Sequence, residues 1–111
     1  IMILKDETRH PPQKNLRVAT ADHVLGPYGP ASEPITGPYW AEGPSAARLG
    51  SAWHVYFDKY RQHRYGLVTS ENLREWTDRS AELVMPDGAR HGTVLTVSPK
   101  VLAGLLSYRR P

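Results

Sequence analysis

Two residues in this chain stand where acid–base chemistry could be done. Glu42 opens the run Glu42-Gly43-Pro44 just after Trp40-Ala41, and His91 sits in Arg90-His91-Gly92, 49 positions later. A carboxyl group can hand a proton to a departing oxygen if burial or a neighbouring negative charge keeps it protonated near neutral pH. Histidine titrates in that range without help. Each has a plainer reading: a solvated glutamate at a turn, and a hydrogen-bonding histidine at the start of a strand. Trp40, beside the possible acid, offers an aromatic face for a ligand to stack on, and its plainer reading is packing.

The other ionisable residues carry less. Asp6 and Asp58 each end an apolar run, where an aspartate commonly caps a turn by accepting from nearby backbone, so both are expected to be structural. His10, His54 and His63 have no metal-ligand spacing, and no residue set is assigned to a metal. The chain contains no cysteine, which removes disulfides, thiolate zinc sites and cysteine nucleophiles. It also has no phosphate-binding glycine loop, dinucleotide fingerprint or Gly-x-Ser-x-Gly elbow. The net charge is +3, yet Lys and Arg are scattered among acids and form no run, so nucleic acid is not an expected partner. The apolar stretch Val101–Leu106 is too short to span a bilayer, and no membrane association is expected. Ile1-Met2-Ile3-Leu4 reads as the interior of a strand and not as a signal peptide.

The elements that would position these residues follow from a repeat. Val18-Ala19-Thr20-Ala21-Asp22-His23-Val24 matches Leu67-Val68-Thr69-Ser70-Glu71-Asn72-Leu73 in character, Thr20 and Thr69 being 49 apart. The runs ending in Asp6 and Asp58 are offset by 52, and Glu42-Gly43-Pro44 and His91-Gly92-Thr93 again by 49. The local signals are those of strands and turns: Val55-Tyr56-Phe57 is rich in β-formers, and Leu49-Gly50-Ser51 is a turn cluster. Four strands are predicted in one unit, near 45–48, 53–58, 65–69 and 73–77. Four antiparallel strands in about 40–50 residues are the pattern of a β-propeller blade. The expected fold is therefore all-β, a partial five-bladed propeller of about two blades. Residues 1–36 would supply the last three strands of one blade, 40–80 a full blade, 89–98 the inner strand of the next, and 99–111 a C-terminal tail. Two blades cannot close a ring, so the chain is expected to be a piece of a larger propeller or an oligomer. Strand alternation puts Glu42, His91 and the loops after Asp6 and Asp58 at one rim.

With Glu-Gly-Pro after Trp40, the Tyr56-Phe57-Asp58-Lys59-Tyr60 corner, the Ser70-Glu71-Asn72-Leu73-Arg74-Glu75-Trp76 turn and Arg90-His91-Gly92, the chain resembles the later blades of five-bladed glycoside hydrolases related to family 43. The resemblance covers nearly the whole chain, and it implies a carbohydrate substrate with arabinose or xylose at the cleaved position. It implies that Glu42 is the general acid of an inverting hydrolysis, with Trp40, Arg90 and His91 as substrate-binding residues. The catalytic base and a third, orienting aspartate would lie on inner strands before Ile1, so residues 1–111 alone are expected to be inactive. The family's histidine near the channel axis is matched by His91 and is often associated with calcium, although calcium prefers oxygen ligands. Two alternatives share the scaffold: a noncatalytic sugar-binding propeller, and a glycoside phosphorylase holding phosphate with Arg61, Arg64 and Arg90.

Overall fold

The computed structural model describes residues 1–108, so the Arg109-Arg110-Pro111 end of the expected tail lies outside the described residues. The fold is mostly β. Strands β1 (Met2–Lys5) and β2 (Leu16–Ala19) form a two-stranded sheet. Strands β3 (Glu42–Leu49), β4 (Ala52–Lys59), β5 (Arg64–Ser70) and β6 (Thr77–Asp78) form a four-stranded sheet in chain order. Every pairing is antiparallel. A 3₁₀ turn (Ser80–Glu82) and one helix, α1 (Pro99–Ser107), follow. No helix among the described residues is long and apolar enough to cross a membrane.

Turn chemistry sets the hairpins. Leu49 pairs with Ala52 across Gly50-Ser51, and Gly50, first in that two-residue loop, has φ +61°, which glycine adopts without penalty. Between β4 and β5 the amide of Gln62 donates to the Lys59 carbonyl (2.8 Å), and the loop closes with His63 at φ +52°.

Alternation then divides the four-stranded sheet into two faces. Val55, Phe57 and Val68 point to one face and join Leu16 and Val18 of β2, together with Ile35 and Ala41, in a single buried cluster. Phe57 is fully buried, which contributes about 1.5–3 kcal/mol relative to exposure. The other face carries Ser45, Asp58 and Tyr65, and residues 90–94 lie against it. The Gly92 amide donates to Tyr65 Oη (2.6 Å), and the Val94 amide to Ser45 Oγ (2.9 Å).

Three expected strands differ in outcome. Residues 1–36 form two strands and not three: the segment that runs along the free edge of β2 contains Pro30 and Pro34, which cannot donate to a ladder. Irregular backbone nevertheless satisfies the edge of β2. Ser32 and Ile35 amides donate to the Val18 and Leu16 carbonyls (both 2.8 Å), while Ser32 Oγ and Thr36 Oγ1 accept from the amides of Val18 and Leu16 (both 3.1 Å). The outer strand expected at 73–77 begins only at Thr77, since Ser70 to Glu75 coil into a turn. Ser70 Oγ accepts from the Asn72 and Leu73 amides, and Asn72 Oδ1 from those of Arg74 and Glu75. Residues 89–98, expected as a strand, pair with no strand among the described residues. Their tethers to the sheet are side chains, and no backbone ladder forms.

Candidate functional site

Glu42 is the first residue of β3, at a corner of the sheet, and its position depends on a bulge. Counting back from the Leu49–Ala52 turn, each β3 residue faces its partner in strict register as far as Ser45 and Tyr56. An unbroken ladder would then set Glu42 against Lys59. Instead the register slips at Gly43-Pro44 and Glu42 lies opposite Asp58. Gly43 has φ +57°, the left-handed conformation that a glycine supplies at the first position of such a bulge. The missing side chain matters as well: a Cβ on Gly43 would lie 2.6 Å from His91 Nδ1.

The corner gathers charges from three segments. Lys5 of β1 places Nζ 3.0 Å from Glu42 Oε2 and 2.7 Å from Glu7 Oε1. Burial draws the Lys5 ammonium toward neutrality, but its bonds to Glu7 and Glu42 outweigh this and hold its pKa above the ordinary lysine value. Glu7 also pairs with Lys14, and these two ammonium groups, Lys14 first, hold its carboxyl at about 2. On the other side of Glu42, His91 places Nε2 3.3 Å from Oε1 and 3.7 Å from Asp58 Oδ2. Arg90 Nε donates to that same Asp58 oxygen. Glu42 is thus flanked by a cation from the other sheet, by the imidazole of His91 and by a second carboxylate from the adjacent strand β4.

The two aspartates expected to cap turns behave differently. Asp6 does so: its Oδ1 accepts from the Thr8 amide (2.9 Å), while Oδ2 takes Arg17 Nε (2.9 Å). Asp58 does not. Its side chain has no solvent exposure, it accepts from Arg90, and its Oδ1 is buried without a partner among the described residues. Sequence reasoning placed Asp58 at the end of its strand and missed its role, because its neighbourhood with Glu42 depends on a one-residue register slip at Gly43.

Of the residues singled out in sequence, Glu42, Arg90 and His91 come together. Trp40 does not join them. Its ring packs at 5.9 Å on Tyr60, and the Arg61 guanidinium lies 3.5 Å over its face, so that face is already covered. Trp40 also lines a separate cavity of about 440 Å³ with Pro12, Asn15, Thr36 and Tyr39. A concavity of about 460 Å³ lies away from Glu42, between β4, β5 and the turn around Asn72. The three arginines considered for phosphate do not pool, since Arg61 is spent on Trp40 and Arg90 on Asp58. His54 stacks on Tyr56 (6.3 Å) and stands apart from the cluster.

Glu42, Asp58 and His91 bring ligand-type atoms within 4.8 Å of one another, which raises the calcium expected near His91. The donor set does not fit that ion. Calcium takes six to eight oxygens, whereas two carboxylates and a ring nitrogen are offered here, and Lys5 and Arg90 already neutralise both carboxylates. No protein-family model, curated protein or solved structure matches the chain.

Proposed function

We propose that the chain is part of a five-bladed propeller glycoside hydrolase acting on arabinose- or xylose-containing oligosaccharides or polysaccharides, with Glu42 as proton donor. The observation that carries this reading is the placement of a half-buried carboxyl at the sheet corner. Lys5 Nζ lies against one of its oxygens and His91 Nε2 against the other. In the reaction, water adds to the anomeric carbon and gives up a proton to a base, the glycosidic C–O bond breaks, and the departing oxygen takes the Glu42 proton. A protonated Glu42 forfeits its ion pair with Lys5, so the sugar's approach must displace that contact.

Asp58 is not the missing base. An inverting pair of carboxyl groups stands about 6.5–9.5 Å apart to admit water, and Glu42 and Asp58 lie within 4.8 Å with Asp58 sealed from solvent. The base therefore belongs to another blade in this reading. Within the proposed ring the four-stranded sheet is one blade and β1–β2 part of its neighbour. The two faces of the larger sheet support this, one packed on β2 and the other on residues 90–94.

The test is Glu42→Gln in the full-length protein, assayed on glycosides with poor and good leaving groups. A general acid contributes about 10²–10⁴-fold, so turnover of a phenyl glycoside falls by that order while a dinitrophenyl glycoside, which departs without protonation, is cleaved at near wild-type rate. Undiminished turnover of the phenyl glycoside would sink the assignment.

A further inference from the structure

Among the described residues Asp58 is the ionisable side chain hardest to explain as structure. It has no exposure, its Oδ1 has no hydrogen-bond partner, and its cationic partner Arg90 is itself 44% exposed. Burying a carboxylate is costly unless its lone pairs are satisfied, and a half-satisfied one does less for stability than an apolar residue of similar volume. Such a group persists where it does something else.

Its surroundings show what that is. Residues 90–94 have no strand partner, so nothing in the backbone ladder fixes His91. Three side chains from three consecutive strands hold the segment: Ser45 of β3 on the Val94 amide, Asp58 of β4 on Arg90, and Tyr65 of β5 on the Gly92 amide. His91 lies between two of these tethers in a left-handed conformation (φ +45°), which is unfavourable for a residue with a Cβ and is maintained only by its surroundings. Ser45 and Tyr65 grip backbone downstream of it. Among the described residues Asp58 alone grips upstream, and its Oδ2 also lies 3.7 Å from the His91 Nε2 that faces Glu42 at 3.3 Å.

We infer that Asp58 is a positioning residue: through Arg90 and His91 it sets the orientation of the Glu42 carboxyl toward the leaving group. The bulge at Gly43 serves the same end by bringing Asp58, and not Lys59, opposite Glu42. This assignment rests on Glu42 being the proton donor, and it adds a residue that touches neither the sugar nor the departing oxygen. Misplacing a catalytic group by about 1 Å can cost on the order of 10²-fold, and that loss must appear only where protonation limits the rate.

The experiment compares wild type, Asp58→Asn, Arg90→Lys and Glu42→Gln in the full-length protein, on phenyl and 2,4-dinitrophenyl glycosides of arabinofuranose and xylopyranose. Asp58→Asn lowers kcat/KM on the phenyl glycoside by about 10²-fold and on the dinitrophenyl glycoside by less than about threefold. Arg90→Lys, a change at a half-exposed position that leaves the core intact, shows the same selectivity at smaller amplitude and covers the case in which Asp58→Asn does not fold. Equal losses on both substrates, the mark of a merely structural role, overturn the inference, as does no loss on either. If Glu42→Gln itself shows no leaving-group selectivity, the proton-donor reading fails first and takes this one with it. Selectivity in Glu42→Gln without selectivity in Asp58→Asn or Arg90→Lys overturns the positioning role alone.

Discussion

Replacing Gly43 by alanine attacks the bulge that sets Glu42 against Asp58, and its cost separates into two parts. The first is backbone: Gly43 has φ +57°, where a residue with a Cβ loses about 1–2 kcal/mol. The second is steric. The new Cβ would lie 2.6 Å from His91 Nδ1 and 3.3 Å from Cε1, closer than side chains tolerate, so the imidazole must move. Overpacking of this kind costs about 1–3 kcal/mol. The His91 side chain is 53% exposed and can swing outward, which places the steric part near the lower end, about 1 kcal/mol. The expected total is about 2–3 kcal/mol, a fall in Tm of roughly 10–20 °C for a chain of this size. Urea titration of wild type, Gly43→Ala, His91→Ala and the double variant resolves the parts. Alanine at 91 keeps the strained backbone and removes the ring, so Gly43→Ala should cost about 1 kcal/mol less in that background. Equal costs in the two backgrounds would refute the packing of His91 on Gly43, and a total below about 0.5 kcal/mol would refute the bulge as a constraint.

Other perturbations read other parts of the structure. Tyr65→Phe removes the acceptor of the Gly92 amide and should destabilise by about 1–2 kcal/mol by urea titration, with faster exchange of that amide; unchanged exchange would show that Tyr65 does not hold the segment. Asp78 supplies a pH dependence. Burial alone would raise its pKa, but hydrogen bonds from Ser80 and Tyr39 and the charge of Lys59 bring it down to about 2. The folded value lies below the unfolded one, so the stabilisation is complete above about pH 4 and is lost as pH falls toward 2. Asp78 is substantially exposed, so the amplitude is under about 1 kcal/mol, and Asp78→Asn should flatten that part of an acid titration of stability. Identical acid profiles for wild type and variant would contradict the assignment.

Much of the larger sheet was legible because its signals are local. The Gly50 turn, the β-branched and aromatic run at Val55-Tyr56-Phe57, and the alternation through Leu67 and Val68 each specify a strand without reference to anything distant. The proximity of Glu42 and His91 came from a repeat, which is a long-range signal but one visible in the chain. What escaped was whatever depends on a single register step or on unpaired backbone. Asp58 reads like Asp6, since both end an apolar run. The difference is that Arg17, on the paired strand β2, and the Thr8 amide satisfy Asp6, whereas alternation in β4 turns Asp58 toward Arg90 and the Gly43 slip brings Glu42 opposite it. The short β6 and the irregular edge of β2 escaped for a related reason. Asn72 and Ser70, like Ser32 and Thr36, capture backbone amides with side-chain oxygens, and that competition with the ladder leaves no periodic trace.

The ion pair between Lys5 and Glu42 joins two separate sheets, and so ties the corner to how those sheets are docked. Opening a pair from about 3 to 4 Å weakens its attraction by about 1 kcal/mol at an effective dielectric near 20. A small tilt of β1–β2 is therefore felt electrically at Glu42. That tilt is governed by Leu16 and Val18 against Val55 and Phe57. Conservative exchanges among these four apolar residues are thus a means by which sequence drift can tune the readiness of the proposed proton donor while every charged residue stays the same.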